Sequence, residues 1–101
     1  RTQGQIDGLV NDVMTIEPLA DRFSSFGWHV LTINGHDYSA IHEAIKTAHS
    51  ETDRPTMIIA NTIKGKGVSF LESDTVAWHG RALTTEELER AISELGASSC
   101  K

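Results

Sequence analysis

Two short phrases in the second half of the chain carry the side chains best suited to chemistry on anions. Lys64-Gly65-Lys66-Gly67 sets two ammonium groups beside glycines, whose missing side chains let backbone N–H groups come close to an anion. It lacks the G-x-x-x-x-G-K spacing of a nucleotide-binding phosphate loop, so the pattern alone reads as a phosphate contact or as a solvated turn. Trp78-His79-Gly80 holds an imidazole between a large ring and a glycine. Such a histidine can donate a hydrogen bond to an anionic oxygen or move a proton near neutral pH, and it equally suits a surface imidazole in an ordered turn. The other histidines read as structural: His36 shapes a turn before Asp37, His42 and His49 fall off the apolar stripe of a helix, and His29 alternates within a strand and is expected to be half-buried. Glu86, Glu87, Glu89 and Glu94 suit the wet face of a helix. No close carboxylate pair, nucleophile elbow or metal-ligand spacing stands out, so no metal ligand is assigned. These residues alone do not name a reaction.

With 101 residues the chain is one domain at most, and its core is expected to be modest. The net charge of −5 argues against general binding of nucleic acid or of anionic membranes, because phosphate affinity comes mainly from Lys and Arg. The one cysteine, Cys100, can form no internal disulfide, and a reduced, cytoplasmic setting is expected. Apolar runs are too short to span a bilayer, and the first five residues hold no signal-peptide core. The chain opens on Arg1 without a methionine, so it is expected to begin inside a larger protein.

The elements that would position the two phrases follow from periodicity. Residues 1–15 read as an irregular lead-in, with Ile6-Asp7-Gly8 as a turn. A helix is expected from Glu17-Pro18, with Pro18 in its first turn, Leu19, Phe23 and Phe26 on its apolar side and Gly27 ending it. Trp28 to Ile33 alternates as a strand, and Asn34-Gly35 breaks it. Asp37 caps a helix striped by Ile41, Ala44, Ile45 and Ala48, closed by Asp53-Arg54-Pro55. Thr56 to Ala60 is apolar enough for a strand buried on both faces. Residues 16–60 thus form a helix-strand-helix-strand core containing a β-α-β unit, and the fold class is α/β: a partial parallel sheet with flanking helices. Residues 61–83 have no sustained period and read as a long functional loop. Residues 84–96 form a last helix, with a Thr84-x-x-Glu87 capping box, a stripe of Leu88, Ala91, Ile92 and Leu95, and Gly96 at its end. The tail from Ala97 is expected to fray. In α/β proteins ligands sit beyond the carboxyl ends of parallel strands, where Asn34 to Asp37 and Asn61 to Gly67 leave the sheet.

Taken in order, Ile6-Asp7-Gly8, Glu17-Pro18-Leu19-Ala20, Phe26-Gly27-Trp28-His29-Val30, Asn34-Gly35-His36-Asp37, Arg54-Pro55-Thr56, Ala60 to Phe70 and Trp78-His79-Gly80 resemble the transketolase family. The likeness is greatest to the separate amino-terminal subunits of two-gene transketolases, and this chain matches the later half of such a subunit. The resemblance implies the second half of a domain that grips the diphosphate of thiamine diphosphate and its Mg2+. It also implies a part in moving a two-carbon ketol unit from a ketose phosphate to an aldose phosphate, with the cofactor carrying the hard chemistry. On the same ground His79 is expected to be catalytic and to lie beside the diphosphate and donor sugar, with Lys64 and Gly65 as further contacts. The family's Gly-Asp-Gly metal motif and its asparagine ligands are missing here, and because residues 1–3 stand farther from Asp7-Gly8 than the family's spacing, no metal contact is assigned to their carbonyls. The glutamate that activates the cofactor belongs in this family to a partner chain. The resemblance therefore implies a complementary chain, sugar-phosphate substrates, and an inactive isolated chain that holds cofactor and Mg2+ weakly or not at all. A sheet short of its upstream strands exposes an edge and an apolar face, so an oligomer or a destabilised fold is expected. A deoxyxylulose-phosphate or dihydroxyacetone synthase would share much of this region. A non-catalytic association module and a sugar-phosphate-binding domain are the alternatives outside the cofactor class.

Overall fold

In the computed structural model, which describes residues 1–2 and 4–96, the elements run β1 (Gly4–Gln5), β2 (Gly8–Leu9), α1 (Val10–Val13), α2 (Leu19–Ser25), β3 (His29–Asn34), α3 (Tyr38–Ser50), β4 (Thr56–Asn61), α4 (Ser69–Ser73), a 3-10 turn (Ala77–His79) and α5 (Thr85–Glu94). Within the length of a single domain the chain gathers into two compact units. One joins residues 1–2 to 14–62, and the other joins the described residues of 3–13 and 63–101.

The first unit is built on β3 and β4, which pair in parallel with Leu31 opposite Ile58 and Asn34 opposite Asn61. The crossover is α3, started by Asp37, whose carboxylate accepts from the N–H groups of Ser39 at 2.9 Å and Ala40 at 3.2 Å. Ala44 is buried, Ile41 and Ala48 are half-buried, and Ile45 stays 47 % exposed, so the stripe is only partly covered. Helix α2 packs on β3, with Phe23 edge-on to Trp28 at a centroid distance of 5.5 Å. Pro18 stands at the N-cap, one residue earlier than expected, and Glu17 caps the helix by accepting from the Leu19 N–H at 3.1 Å. Gly27 ends α2 with φ +85°, a conformation in which a side chain would be strained. His29 is half-buried, with Nδ1 3.8 Å from the Glu51 carboxylate. His42 and His49 are exposed.

Strand β4 differs from the expectation of burial on both faces: Ile59 is buried, but its neighbours are only partly covered. The reason is the width of the sheet, which has two strands among the described residues. Arg1 lies along the outer edge of β4, its α-amino group donating to the Ala60 carbonyl at 2.6 Å and its own carbonyl accepting from the Thr62 N–H at 3.0 Å. At the carboxyl ends of the strands, the Gly35 N–H reaches the Asn61 carbonyl at 2.7 Å. A Cβ on Gly35 would come within 2.6 Å of the Thr62 methyl and 3.0 Å of the Asn61 carbonyl, so glycine is required for that approach.

In the second unit the lead-in departs from an irregular chain. Gly4–Gln5 and Gly8–Leu9 form a small antiparallel hairpin around Ile6-Asp7, and α1 follows at once. Strands of two residues carry no period that a sequence can display. The stretch from 61 to 83 likewise contains structure, α4 and the 3-10 turn. Helix α5 starts with both bonds of the capping box, Glu87 N–H to Thr84 Oγ1 at 3.3 Å and Thr84 N–H to Glu87 Oε2 at 2.9 Å. It is tied to α4 by Glu94, which accepts from the Ser69 N–H and, at 2.8 Å, from its hydroxyl, and which pairs with Arg90 at 3.0 Å. Ala91 and Val68 are buried, whereas Leu88, Ile92 and Leu95 remain exposed. Cys100, the tail from Ala97 and Gln3 lie outside the described residues.

Candidate anion-binding site

Lys64 follows β4 by three residues, and the chain turns there through Gly65 (φ +75°) and Gly67 (φ +97°). The bend is closed by the Lys66 N–H donating to the Ile63 carbonyl at 3.2 Å and the Val68 N–H donating to the Gly65 carbonyl at 3.0 Å. Gly65 also lies so near Leu71 that a Cβ would meet the Leu71 Cβ at 2.4 Å. Glycine is thus fixed there twice, by dihedral angle and by packing.

The other wall begins at Trp78. Its indole N–H donates to the Phe70 carbonyl at 3.1 Å, and its ring stands edge-on to Phe70 at 5.3 Å. The 3-10 turn that carries it is pinned by the Ala77 N–H donating to the Asp74 carboxylate at 2.9 Å. The Arg81 guanidinium lies 4.3 Å from the centre of the Trp78 ring and donates from Nη2 to Glu87 Oε1 at 2.5 Å. Glu87 is held below the usual carboxylate range chiefly by the Thr84 N–H, with the Arg81 guanidinium adding to it, while burial opposes.

These walls enclose a cleft of about 160 Å3, lined by Lys64, Gly65, Leu71, Trp78, Arg81 and Leu83. The structure therefore brings Lys64 and Gly65 together with the tryptophan of the Trp78-His79-Gly80 phrase. Lys66 is drawn off to Glu72 at 3.5 Å, which also accepts from the Gly67 N–H at 2.8 Å. His79 is exposed at the end of the 3-10 turn, is not among the residues lining the cleft, and makes no side-chain hydrogen bond among the described residues. Asp37 and His36 belong to the helix start in the first unit, where the His36 N–H donates to Asn34 Oδ1 at 3.0 Å. Among the described residues no group of three or more His, Cys, Asp or Glu side chains gathers to hold a metal. Arg81 escaped the sequence reading. Its one signal was a cation three residues after Trp78, a spacing that positions a side chain only once the local turn is known.

The sequence model of a family described as transketolase, thiamine diphosphate binding domain, matches residues 2–101. The chain belongs to that family. Among transketolase-family proteins it is 44 % identical over 91 residues to the 6-deoxy-6-sulfo-D-fructose transketolase subunit of a Clostridium species, covering 90 % of this chain and 33 % of that one. It is 36 % identical over 95 residues to an apulose-4-phosphate transketolase subunit of Phocaeicola vulgatus, covering 94 % and 34 %. The crystal structure of transketolase from Campylobacter jejuni superposes with a TM-score of 0.78 at 33 % identity, covering 94 % of this chain and 15 % of that one. The chain thus spans about a third of the length of the two subunits. The α/β fold with a parallel β3–β4 pair is that of a transketolase thiamine diphosphate binding domain. No helix among the described residues is long and apolar enough to cross a membrane.

Proposed function

We propose that this transketolase-family chain supplies part of the diphosphate-binding wall of an enzyme that moves a two-carbon ketol unit between sugar phosphates. The carrying observation is that Lys64, Gly65 and Trp78 line one cleft in a chain whose family is a thiamine diphosphate binding domain. The residues present fit the anionic end of that cofactor: two cations, a glycine bend that a Cβ would block, and an aromatic wall. Thiamine diphosphate, when bound, supplies the stabilisation of negative charge at carbon that ketol transfer needs. Lys64 contributes a point charge, the Gly65 bend brings backbone close to the anion, and His79 donates a hydrogen bond to an oxygen of the cofactor or donor sugar. The substrates are anionic sugars, in keeping with relatives named for apulose 4-phosphate and 6-deoxy-6-sulfo-D-fructose.

Because the Gly-Asp-Gly motif is not in this sequence and the family's cofactor-activating glutamate belongs to a partner chain, the side-chain ligands of Mg2+ and the activating carboxylate would come from other segments or chains. Relatives named as subunits support a complementary partner, and the working form is an oligomer in the cytoplasm without nucleic acid or membrane. The test is a coupled ketol-transfer assay with a ketose phosphate donor and an aldose phosphate acceptor. The 101-residue chain alone is expected to give no turnover, and turnover is expected when the missing segments are supplied on a complementing chain. In that assembly His79→Ala should lower kcat roughly 100-fold, the usual cost of losing one donor to developing charge. Turnover by the chain alone would contradict the division of labour, and full activity in the variant would remove His79 from the reaction.

A further inference from the structure

We infer that Arg81 is a further anion-contacting residue of the cleft, binding a phosphate-class oxyanion from the wall that carries Trp78. The inference rests on the reading of the Lys64–Gly65 cleft as an anion pocket and adds to it a residue that neither the motifs nor the resemblance assigned.

Three observations carry it. Arg81 lines the same cleft as Lys64 and Gly65. Its guanidinium is aimed by groups that are themselves held: Trp78 is fixed through the Phe70 carbonyl, and Glu87 is fixed through the N–H of Thr84 at the start of α5. Among the described residues its only hydrogen bond is Nη2 to Glu87 Oε1, so the Nε and Nη1 donors keep their capacity. An arginine clamped on one side presents the rest of a planar fork, which matches two oxygens of a tetrahedral anion.

The charge balance points the same way. Two of the six lining residues are cations and none is a carboxylate, in a chain whose net charge is −5. Lys64 makes no ion pair among the described residues, and Glu87 offsets Arg81 alone. The cleft therefore carries an uncompensated positive charge that an oxyanion would balance. If Arg81 served only to brace Trp78 against α5, its placement on a cleft shared with Lys64 would have no binding consequence.

Calorimetric titration of the 101-residue chain in the assembly with its complementing chain, with inorganic pyrophosphate and separately with ribose 5-phosphate, tests this. Arg81→Gln should weaken binding of at least one probe roughly tenfold or more, the scale of a lost charge-assisted hydrogen bond. Arg81→Lys should lose less, since it keeps the charge without the fork. Loss confined to pyrophosphate assigns Arg81 to the cofactor's diphosphate, loss confined to ribose 5-phosphate assigns it to the sugar's phosphate, and loss of both assigns it to either group. The Trp78 indole N–H resonance reports whether the wall survives substitution. If Arg81→Gln disturbs it, the Lys variant decides. Weakening by Lys64→Gln with both Arg81 variants binding as wild type would overturn the role of Arg81 and leave the cleft reading intact. No saturable binding of either probe by the wild type, or no effect of either Lys64 or Arg81, would overturn both.

Discussion

Trp78 organises the cleft through three different contacts: a hydrogen bond to the Phe70 carbonyl, an edge-on contact with the Phe70 ring, and a face offered to Arg81. Trp78→Phe keeps a ring but deletes the N–H and leaves the Phe70 carbonyl unpaired by that donor. It should cost about 1 kcal/mol in urea unfolding, whereas Trp78→Ala should cost about 3 kcal/mol. No loss in Trp78→Phe would mean that the indole N–H contributes nothing, and equal losses in the two variants would mean that the retained ring contributes nothing. At this scale the sequence was partly readable. Its family likeness favoured Lys64 and Gly65 over Lys66; Glu72 takes up the Lys66 ammonium and the Gly67 N–H, while Lys64 lines the cleft. Arg81 was hidden because its position depends on a 3-10 turn and on a carboxylate from the next helix, and neither leaves a periodic trace. His79, singled out on likeness, is exposed and stands beside Trp78 rather than on the cleft lining.

Helix starts were the most legible elements, because a cap is a local chemical device. Asp37 and Thr84 each bond the N–H groups that their spacing predicts, and Asp37→Ala or Thr84→Ala should each cost about 1 kcal/mol in stability. The hairpin at Gly4–Leu9 and helix α4 were not legible, since two-residue strands and a five-residue helix whose N-cap, Val68, makes no side-chain bond display neither stripe nor cap. The α4–α5 clamp gives a pH prediction. Glu94 is held below the ordinary carboxylate range chiefly by the Ser69 N–H, then by the Ser69 hydroxyl and Arg90, with burial opposing. A depressed folded value means that its contribution is fully present above the unfolded value of 4.5 and is lost as pH falls through the folded value. Urea midpoints should therefore drop between neutral pH and about pH 3, and Glu94→Gln should flatten that drop while lowering the neutral midpoint. A parallel, unflattened drop would exclude the clamp as a source. For the sheet, groups of β4 alternate in direction. The Ile59 amide turns toward β3 and should be protected from hydrogen exchange, whereas the Ile58 amide turns to the outer edge, where Arg1 bonds the Ala60 carbonyl and the Thr62 N–H. Equal protection of the two would show that the edge is covered.

At the scale of the molecule, apolar surface is under-used. Among the described residues the buried apolar set is Ala44, Ile59, Val68 and Ala91, while Phe26 is 81 % and Met14 74 % exposed. Phe26 and Met14 line an apolar groove of about 350 Å3 with Ile16, Leu19 and Phe23. Contiguous exposed apolar surface favours association, so sedimentation velocity should show mass rising with concentration. A sharp monomer boundary with cooperative unfolding at low concentration would count against that. The α/β class and the parallel pair followed from the order of strand, helix and strand. The thinness of the core did not, because what covers Phe26, Leu88 or Leu95 is not written in their own spacing. The claim on which the rest depends is that the Lys64–Gly65 bend and the Trp78 turn grip one anion together. Amide and indole N–H shifts in a titration of the complemented assembly with thiamine diphosphate and Mg2+ test it most directly. The Gly65 amide and the Trp78 indole should shift with a single shared affinity, and Lys64→Ala should weaken both alike. Shifts at only one of the two, or at the Phe26 groove with the cleft silent, would contradict it.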